Sequence, residues 1–172
     1  NFLLLKGITQ SLAGRVGLLK LLPLSYAELE KGGIAPEIED YMVRGGYPRL
    51  YDVDVPERIY YSGYINTYLE RDISGYLDVR NLSAFRTFLS LCARNAGNLL
   101  NISRLASDAG VSSATAKAWL SMLESSYVVF MLRPYHANVR KRLTKTPKLY
   151  FYDSGLLCHL LGIASKESLL NG

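Results

Sequence analysis

Apolar residues recur at helical spacing through most of this chain. In FLLLKGITQSLAG, Leu4, Leu5, Ile8 and Leu12 share one face, and Gly14 is placed to end the helix. RVGLLKLLPLS reads differently, as a continuous apolar run broken by Pro23, which is the pattern of a buried strand. Ser25 then stands where an N-cap belongs, ahead of the helix YAELE. Helix, strand and helix in succession are α/β material, and a lone strand requires sheet partners, which this reading places before residue 1.

KGGIAPE reads as a linker, and PEIEDYMVRGGYPRL as one short helix ended by Gly45 and Gly46. Pro56 is expected to open a long amphipathic helix reaching about Leu77, with Tyr61, Ile65, Tyr68, Leu69 and Ile73 at helical spacing. Its tyrosines are expected to pack rather than to catalyse. Residues 83–97 give a further helix with Phe85, Phe88, Leu89 and Cys92 inward.

The most specific pattern follows. Counting from Ile102 as position one, Leu105 falls at four, Ala106 at five, Ala109 at eight, Gly110 at nine, Val111 at ten, Ala116 at fifteen and Trp119 at eighteen. That is helix-turn-helix spacing. The small residue at five lets the helices cross closely, and the glycine at nine supplies a left-handed turn. Ser112 or Ser113 caps the second helix. YVVFML and KLYFYD then read as two strands joined by a loop, so three helices and a hairpin predict a winged helix.

Charge changes the picture at this hairpin. Between Glu124 and Asp153 there is no carboxylate side chain, whereas Arg133, Arg140, Lys141, Arg142, Lys145 and Lys148 supply six cations. Setting those six aside leaves 14 basic against 15 acidic residues, so the pI near 9.2 is a local feature. Such a wing suits phosphates or an acidic protein surface, or else simply keeps a hairpin edge from aggregating. Five or six phosphate contacts would give a log–log salt slope of roughly −4.5 to −5. The would-be recognition helix offers Ser113, Thr115, Lys117 and Ser121 but no Arg, Asn or Gln for bidentate base reading, which argues against sequence-specific recognition.

Other chemistry is sparse. No run of about 18 apolar residues exists to cross a membrane. Cys92 and Cys158 lie in helical patterns among apolar neighbours, without metal-ligand spacing, which favours a reducing, cytoplasmic setting. His136 and His159 lack Cys or His partners at ligand spacing, so no metal site is expected. Glu70 and Asp72 in YLERDI point to different helix faces, leaving Arg71 and its neighbours an ion-pair role. Arg44 and Arg49 flank the turn GGYPRL, read as structural. Asp153 and Ser154 open the helix SGLLCHLLG as an N-cap would. No Ser/His/Asp or Cys/His set supplies a nucleophile, and no catalytic residue is assigned.

SLAGRVGLLKLLPLSYAEL, RGGYPRLY, YYSGYINTYLERDI, LLNISRLASDAGVSSATAKAWLSMLE and KRLTKTPKLYFYDSGLLCHLLG together resemble the predicted bacterial and archaeal AAA-type ATPases. In that family a P-loop domain precedes a winged-helix region and a tail resembling restriction-endonuclease folds. The resemblance covers essentially the whole chain. It implies that residues 1–31 are the end of the ATPase core, 32–78 a helical linker or lid, and 79–172 the winged-helix domain. It also implies that Arg15 contacts nucleotide or a neighbouring subunit, as a guanidinium suits developing phosphoryl charge. The chain departs from the family in having no G-x-x-x-x-G-K-[ST] and no Walker B strand, so ATP and Mg are cofactors of a longer parent and none is expected for this fragment.

The expected fold is therefore mainly α (α+β): a winged helix-turn-helix domain with a hairpin wing, preceded by helical segments and the α/β end of an ATPase core. The expected function is a binding or regulatory fragment whose wing contacts DNA phosphates non-specifically through Lys117, Arg140, Lys141, Arg142, Lys145 and Lys148. The alternative is a protein-interaction module docking on the parent's own ATPase and C-terminal domains without nucleic acid. A homo-oligomer would place Arg15 against a neighbouring subunit, and no membrane partner is expected.

Overall fold

A computed structural model describes residues 17, 19–69, 82–135 and 145–171. The described part is mainly helical, with one two-stranded antiparallel sheet. Its elements are α1 (Tyr26–Lys31), α2 (Ile38–Arg44), α3 (Arg49–Asp52), α4 (Glu57–Gly63), α5 (Leu82–Arg94), α6 (Ile102–Asp108), α7 (Ser113–Ser125), β1 (Val129–Leu132), β2 (Lys148–Phe151), α8 (Ser154–Leu161) and α9 (Lys166–Asn171).

Local chemistry sets most of the boundaries. Ser25 caps α1 in a reciprocal box: its hydroxyl accepts from the Glu28 N–H while the Glu28 carboxylate accepts from the Ser25 N–H. Asn101 caps α6, Ser112 caps α7 and Asp153 caps α8, each accepting from a backbone N–H three residues on. Between α6 and α7, Gly110 takes φ +69, the left-handed turn its position calls for.

α4 does not continue as a regular helix. It passes into a π-helical stretch, Tyr64–Leu69, while the Thr67 hydroxyl donates to the Gly63 carbonyl four residues back. That side-chain bond competes for a carbonyl the regular helix ladder would use. Leu77, the expected end of this helix, lies outside the described residues.

The described part of the run read as a buried strand is not one. Residues 19–22 form no strand, and Leu19 and Leu21 are 91% and 88% exposed. An extended apolar run becomes a strand only where a partner strand takes its backbone hydrogen bonds along its length. Here, among the described residues, a single backbone–backbone bond, Leu24 N–H to the Gly46 carbonyl, joins residues 19–24 to the rest of the fold. The helix expected at Leu4–Leu12 lies outside the described residues.

One apolar cluster holds the helices together. Phe85, Phe88, Leu89 and Cys92 of α5 meet Trp119, Leu120 and Leu123 of α7, with Val129 and Leu149 from the strands below. Trp119 sits edge-on to both Phe85 and Phe88, at 5.3 and 5.5 Å between ring centres. Leu50, Tyr61 and Leu156 extend the same cluster to α3, α4 and α8. α8 packs on α2, α4, α5 and β2, and α7 on α6 and β1.

β1 and β2 pair with Phe130 opposite Tyr150 and Leu132 opposite Lys148. Residues 97–100 line the other edge of β2: Gly97 N–H donates to the Leu149 carbonyl, Leu149 N–H to that of Asn98 and Leu100 N–H to that of Pro147. Leu99 and Lys148 form an antiparallel bridge. The chain order around the sheet is thus helix, bridge, helix, helix, strand, strand.

Candidate functional site

Two constructions stand out, one at the end of the sheet and one in the interior. At the sheet's end, β1 runs out into Arg133, Pro134 and Tyr135, while Lys145, Thr146 and Pro147 lead back into β2. These segments and residues 99–103 border two adjoining open hollows of about 710 and 340 Å³, which share Leu99, Arg133 and Thr146. Lys145 stands on the larger and Lys148 on the smaller. Among the described residues, no carboxylate lines either hollow. The smaller is walled by Leu99, Leu132, Pro134 and Tyr135. Leu99 is 63% exposed, Leu132 52% and Tyr135 90%. Three large apolar side chains are thus exposed beside cations.

Arg133, Lys145 and Lys148 are therefore brought together. Lys117 is exposed on α7 and does not border these hollows. Its neighbours on the exposed face of α7 are Ser113, Ala114, Ala118 and Ser121, short side chains that carry no charge. Arg15, Arg140, Lys141 and Arg142 lie outside the described residues, as do Glu70, Arg71, Asp72 and His136.

In the interior, Asp153 is 3% exposed and holds three donors. Its Oδ2 accepts from Gly46 N–H at 2.7 Å, and its Oδ1 from Leu156 N–H and the Tyr61 hydroxyl, both at 2.7 Å. Sequence reading found the cap to Leu156 but not the other two, because a turn 107 positions away leaves no mark near residue 153. Burial pushes the carboxyl above the usual aspartate range, opposed by the hydrogen bonds from Gly46, Leu156 and Tyr61. Burial likewise raises the Tyr61 hydroxyl, and the adjacent Asp153 charge raises it further.

Glycines make this clasp possible. Gly45 ends α2 at φ +79, ψ −176, a region essentially reserved for glycine. A Cβ there would lie 2.7 Å from Asp153 Oδ1 and closer still to the Tyr61 hydroxyl. One at Gly155 would lie 2.6 Å from the Arg44 carbonyl oxygen. Arg44 itself is committed to structure: it pairs with Glu57 at 2.8 Å, donates to the Leu50 carbonyl and lies over the Tyr51 ring. The motif RGGYP and the motif YDSGLL are thus two halves of one buried joint between α2 and α8.

The family model described as "Domain of unknown function (DUF8612)" matches residues 35–167. The chain belongs to the DUF8612 family. The DUF8612 match runs from just before α2 into α9, so both the Asp153 clasp and the basic end of the sheet lie within it. An uncharacterized protein of Mycobacterium tuberculosis is 35% identical over 164 residues, covering 94% of this chain and 36% of that protein. One of Mycobacterium bovis matches with the same values. One of Haemophilus influenzae is 24% identical over 165 residues, covering 88% of this chain and 41% of that protein. The chain spans about a third of the length of the mycobacterial relatives. No solved structure matches the chain. Among the described residues, no helix is long and apolar enough to cross a membrane, and no group of three or more His, Cys, Asp and Glu is placed to hold a metal ion.

Proposed function

We propose that this DUF8612 chain is a winged-helix module that contacts nucleic-acid phosphates without sequence specificity. The observation that carries the reading is the gathering of Arg133, Lys145 and Lys148 around hollows that no described carboxylate lines. The order helix, bridge, helix, helix, strand, strand supports the winged-helix assignment, with α7 in the recognition position. The short uncharged side chains around Lys117 support binding through the backbone rather than through base edges. Arg140, Lys141 and Arg142 would extend the same phosphate contact along the wing. Within a longer protein resembling AAA-type ATPases, ATP and Mg would be held elsewhere, Arg15 would face nucleotide or a neighbouring subunit, and the module would report or respond to that cycle in the cytoplasm.

The test is a fluorescence-anisotropy titration of a labelled random-sequence duplex between about 50 and 200 mM salt. Affinity that falls steeply with salt, and is lost when Arg140, Lys141 and Arg142 become Glu, is the expected result. No binding at low salt would remove nucleic acid from the reading. A second reading, docking on another part of a longer protein, is favoured by one observation. Leu19 and Leu21 are exposed beside Tyr47 and Tyr127, and Lys20 anchors this segment by donating to the Tyr152 hydroxyl at 2.9 Å.

A further inference from the structure

The phosphate-contact reading leaves the apolar hollow beside the cations without a role. A duplex meets a basic wing with phosphates and sugars, while its bases are closed within the stack. Such a ligand would cover Leu99, Leu132, Pro134 and Tyr135 without filling the space between them. The hollow measures about 340 Å³, at the lower end of the ~300–1,000 Å³ range of small-molecule sites. Leu99, Leu132, Pro134 and Tyr135 line it together with Thr146, Lys148 and Arg133, and Lys145 lines the adjoining hollow.

A flat, weakly polar group joined to a phosphate chain is the ligand such a hollow matches. An unpaired nucleobase is that group, and every base has a face that stacks on an aromatic ring. Tyr135, 90% exposed, supplies the ring; Leu99 and Leu132 line the same hollow and supply apolar surface against which a base loses water. Arg133 and Lys148 line the same hollow and Lys145 the adjoining one, so cations are at hand for the flanking phosphates. From this we infer that the end of the sheet is a site for single-stranded nucleic acid, one unpaired base entering the hollow and stacking on Tyr135 while Lys145, Lys148 and Arg133 meet the phosphates. The inference rests on the nucleic-acid reading above and adds the strand state of the ligand. An acidic peptide without aromatic residues would satisfy the cations but has no planar ring for Tyr135.

The experiment measures, in one buffer, the affinity of this chain for three fluorescein-labelled probes: an oligothymidylate, a random-sequence duplex and a polyglutamate peptide. Wild type is compared with Tyr135→Ala, Tyr135→Phe and Lys145→Glu/Lys148→Glu. All these side chains are exposed, and circular dichroism checks that each variant keeps the fold before titration. The expected result is tighter binding of oligothymidylate than of duplex. Tyr135→Ala weakens the oligothymidylate at least about fivefold, as expected for loss of one base–aromatic stack, and leaves the duplex within about twofold. Tyr135→Phe keeps the affinity, and the double charge reversal abolishes both. Equal affinity for the two nucleic acids, with Tyr135→Ala without effect, overturns the inference and leaves phosphate contact standing. Failure to bind either nucleic acid overturns both, and binding of polyglutamate in their place would identify an acidic protein as the partner.

Discussion

The Tyr61 hydroxyl lies 2.7 Å from Asp153 Oδ1 and 2.9 Å from the Arg44 carbonyl oxygen. It has one hydrogen for two acceptors. While Asp153 is a carboxylate, one of these contacts carries no proton; when Asp153 is protonated, both do.

That count gives a pH dependence with a definite sign. Burial raises the Asp153 pKa in the folded state above its ordinary 3.8, so the folded chain holds this proton more tightly than the unfolded chain. The associated stability is fully present below 3.8 and is lost as pH rises through the folded value. Tyr61→Phe removes one of the groups that lower the pKa, so the loss moves to higher pH and the fold weakens by about 1–3 kcal/mol. Urea melts from about pH 4 to about pH 7 on wild type, Tyr61→Phe and Asp153→Asn read both effects. An unchanged pH profile in Asp153→Asn would remove Asp153 as the titrating group.

Gly45→Ala and Gly110→Ala separate two roles of glycine. Both positions have positive φ, but a Cβ at Gly110 meets nothing within 4 Å. Gly110→Ala is expected to cost about 1–2 kcal/mol of backbone strain. Gly45→Ala adds to its strain a collision with Tyr61 and Asp153, so its cost exceeds that of Gly110→Ala by about 1–3 kcal/mol. Equal losses in chemical denaturation would show that the clasp yields readily.

Each phosphate contact removed lowers the salt slope of duplex binding by about 0.9. Lys145→Ala and Lys148→Ala are each expected to do so, and Lys117→Ala to do so only if α7 also meets the backbone. The slope of log affinity against log salt measures each directly.

Trp119 is the chain's single tryptophan and is buried between Phe85 and Phe88. Its emission is expected to shift to the red on unfolding in step with loss of helix by circular dichroism. Trp119→Ala is expected to cost about 3–5 kcal/mol, because it empties the contact between α5 and α7. Separate transitions for the two signals would show that this bundle melts on its own.

Cys92 is buried, and burial pushes its thiol up to about 12. Cys158 is shifted upward by burial and by Asp153. A thiol reagent at neutral pH is expected to label neither until the fold opens. Rapid native labelling of Cys158 would mean that α8 detaches from α2 alone.

The sequence is most readable where the determining partners are close along the chain. Ser25 with Glu28, Gly110 with Ser112, and the faces bearing Phe85 and Trp119 all act within a few residues, and each expected feature is present. The described part of RVGLLKLLPLS is not a strand, because hydrophobicity records an appetite for burial and not the strand that satisfies it. The π-helical stretch is accompanied by one hydroxyl bond at Thr67, too slight a signal to stand out against the tyrosine periodicity around it. For Asp153, nearness to Leu156 showed the cap and concealed the clasp. Lys145 and Lys148 are legible as charges, whereas the two hollows they border share Leu99, which lies far from the hairpin in the sequence.

Gly46 has a mechanical consequence. Its N–H is held by Asp153, and its carbonyl accepts from Leu24 N–H at 2.6 Å, while the Tyr41 hydroxyl donates to the Leu24 carbonyl at 2.9 Å. One residue thus links the segment entering α1 to the root of α8. A load carried along the chain into α1 is therefore shared: Lys20 passes part of it to Tyr152 at the end of β2, and Leu24 passes the rest through Gly46 to the Asp153 carboxylate. Both routes end on adjacent residues at the root of α8, so that root is where such a load would become movement.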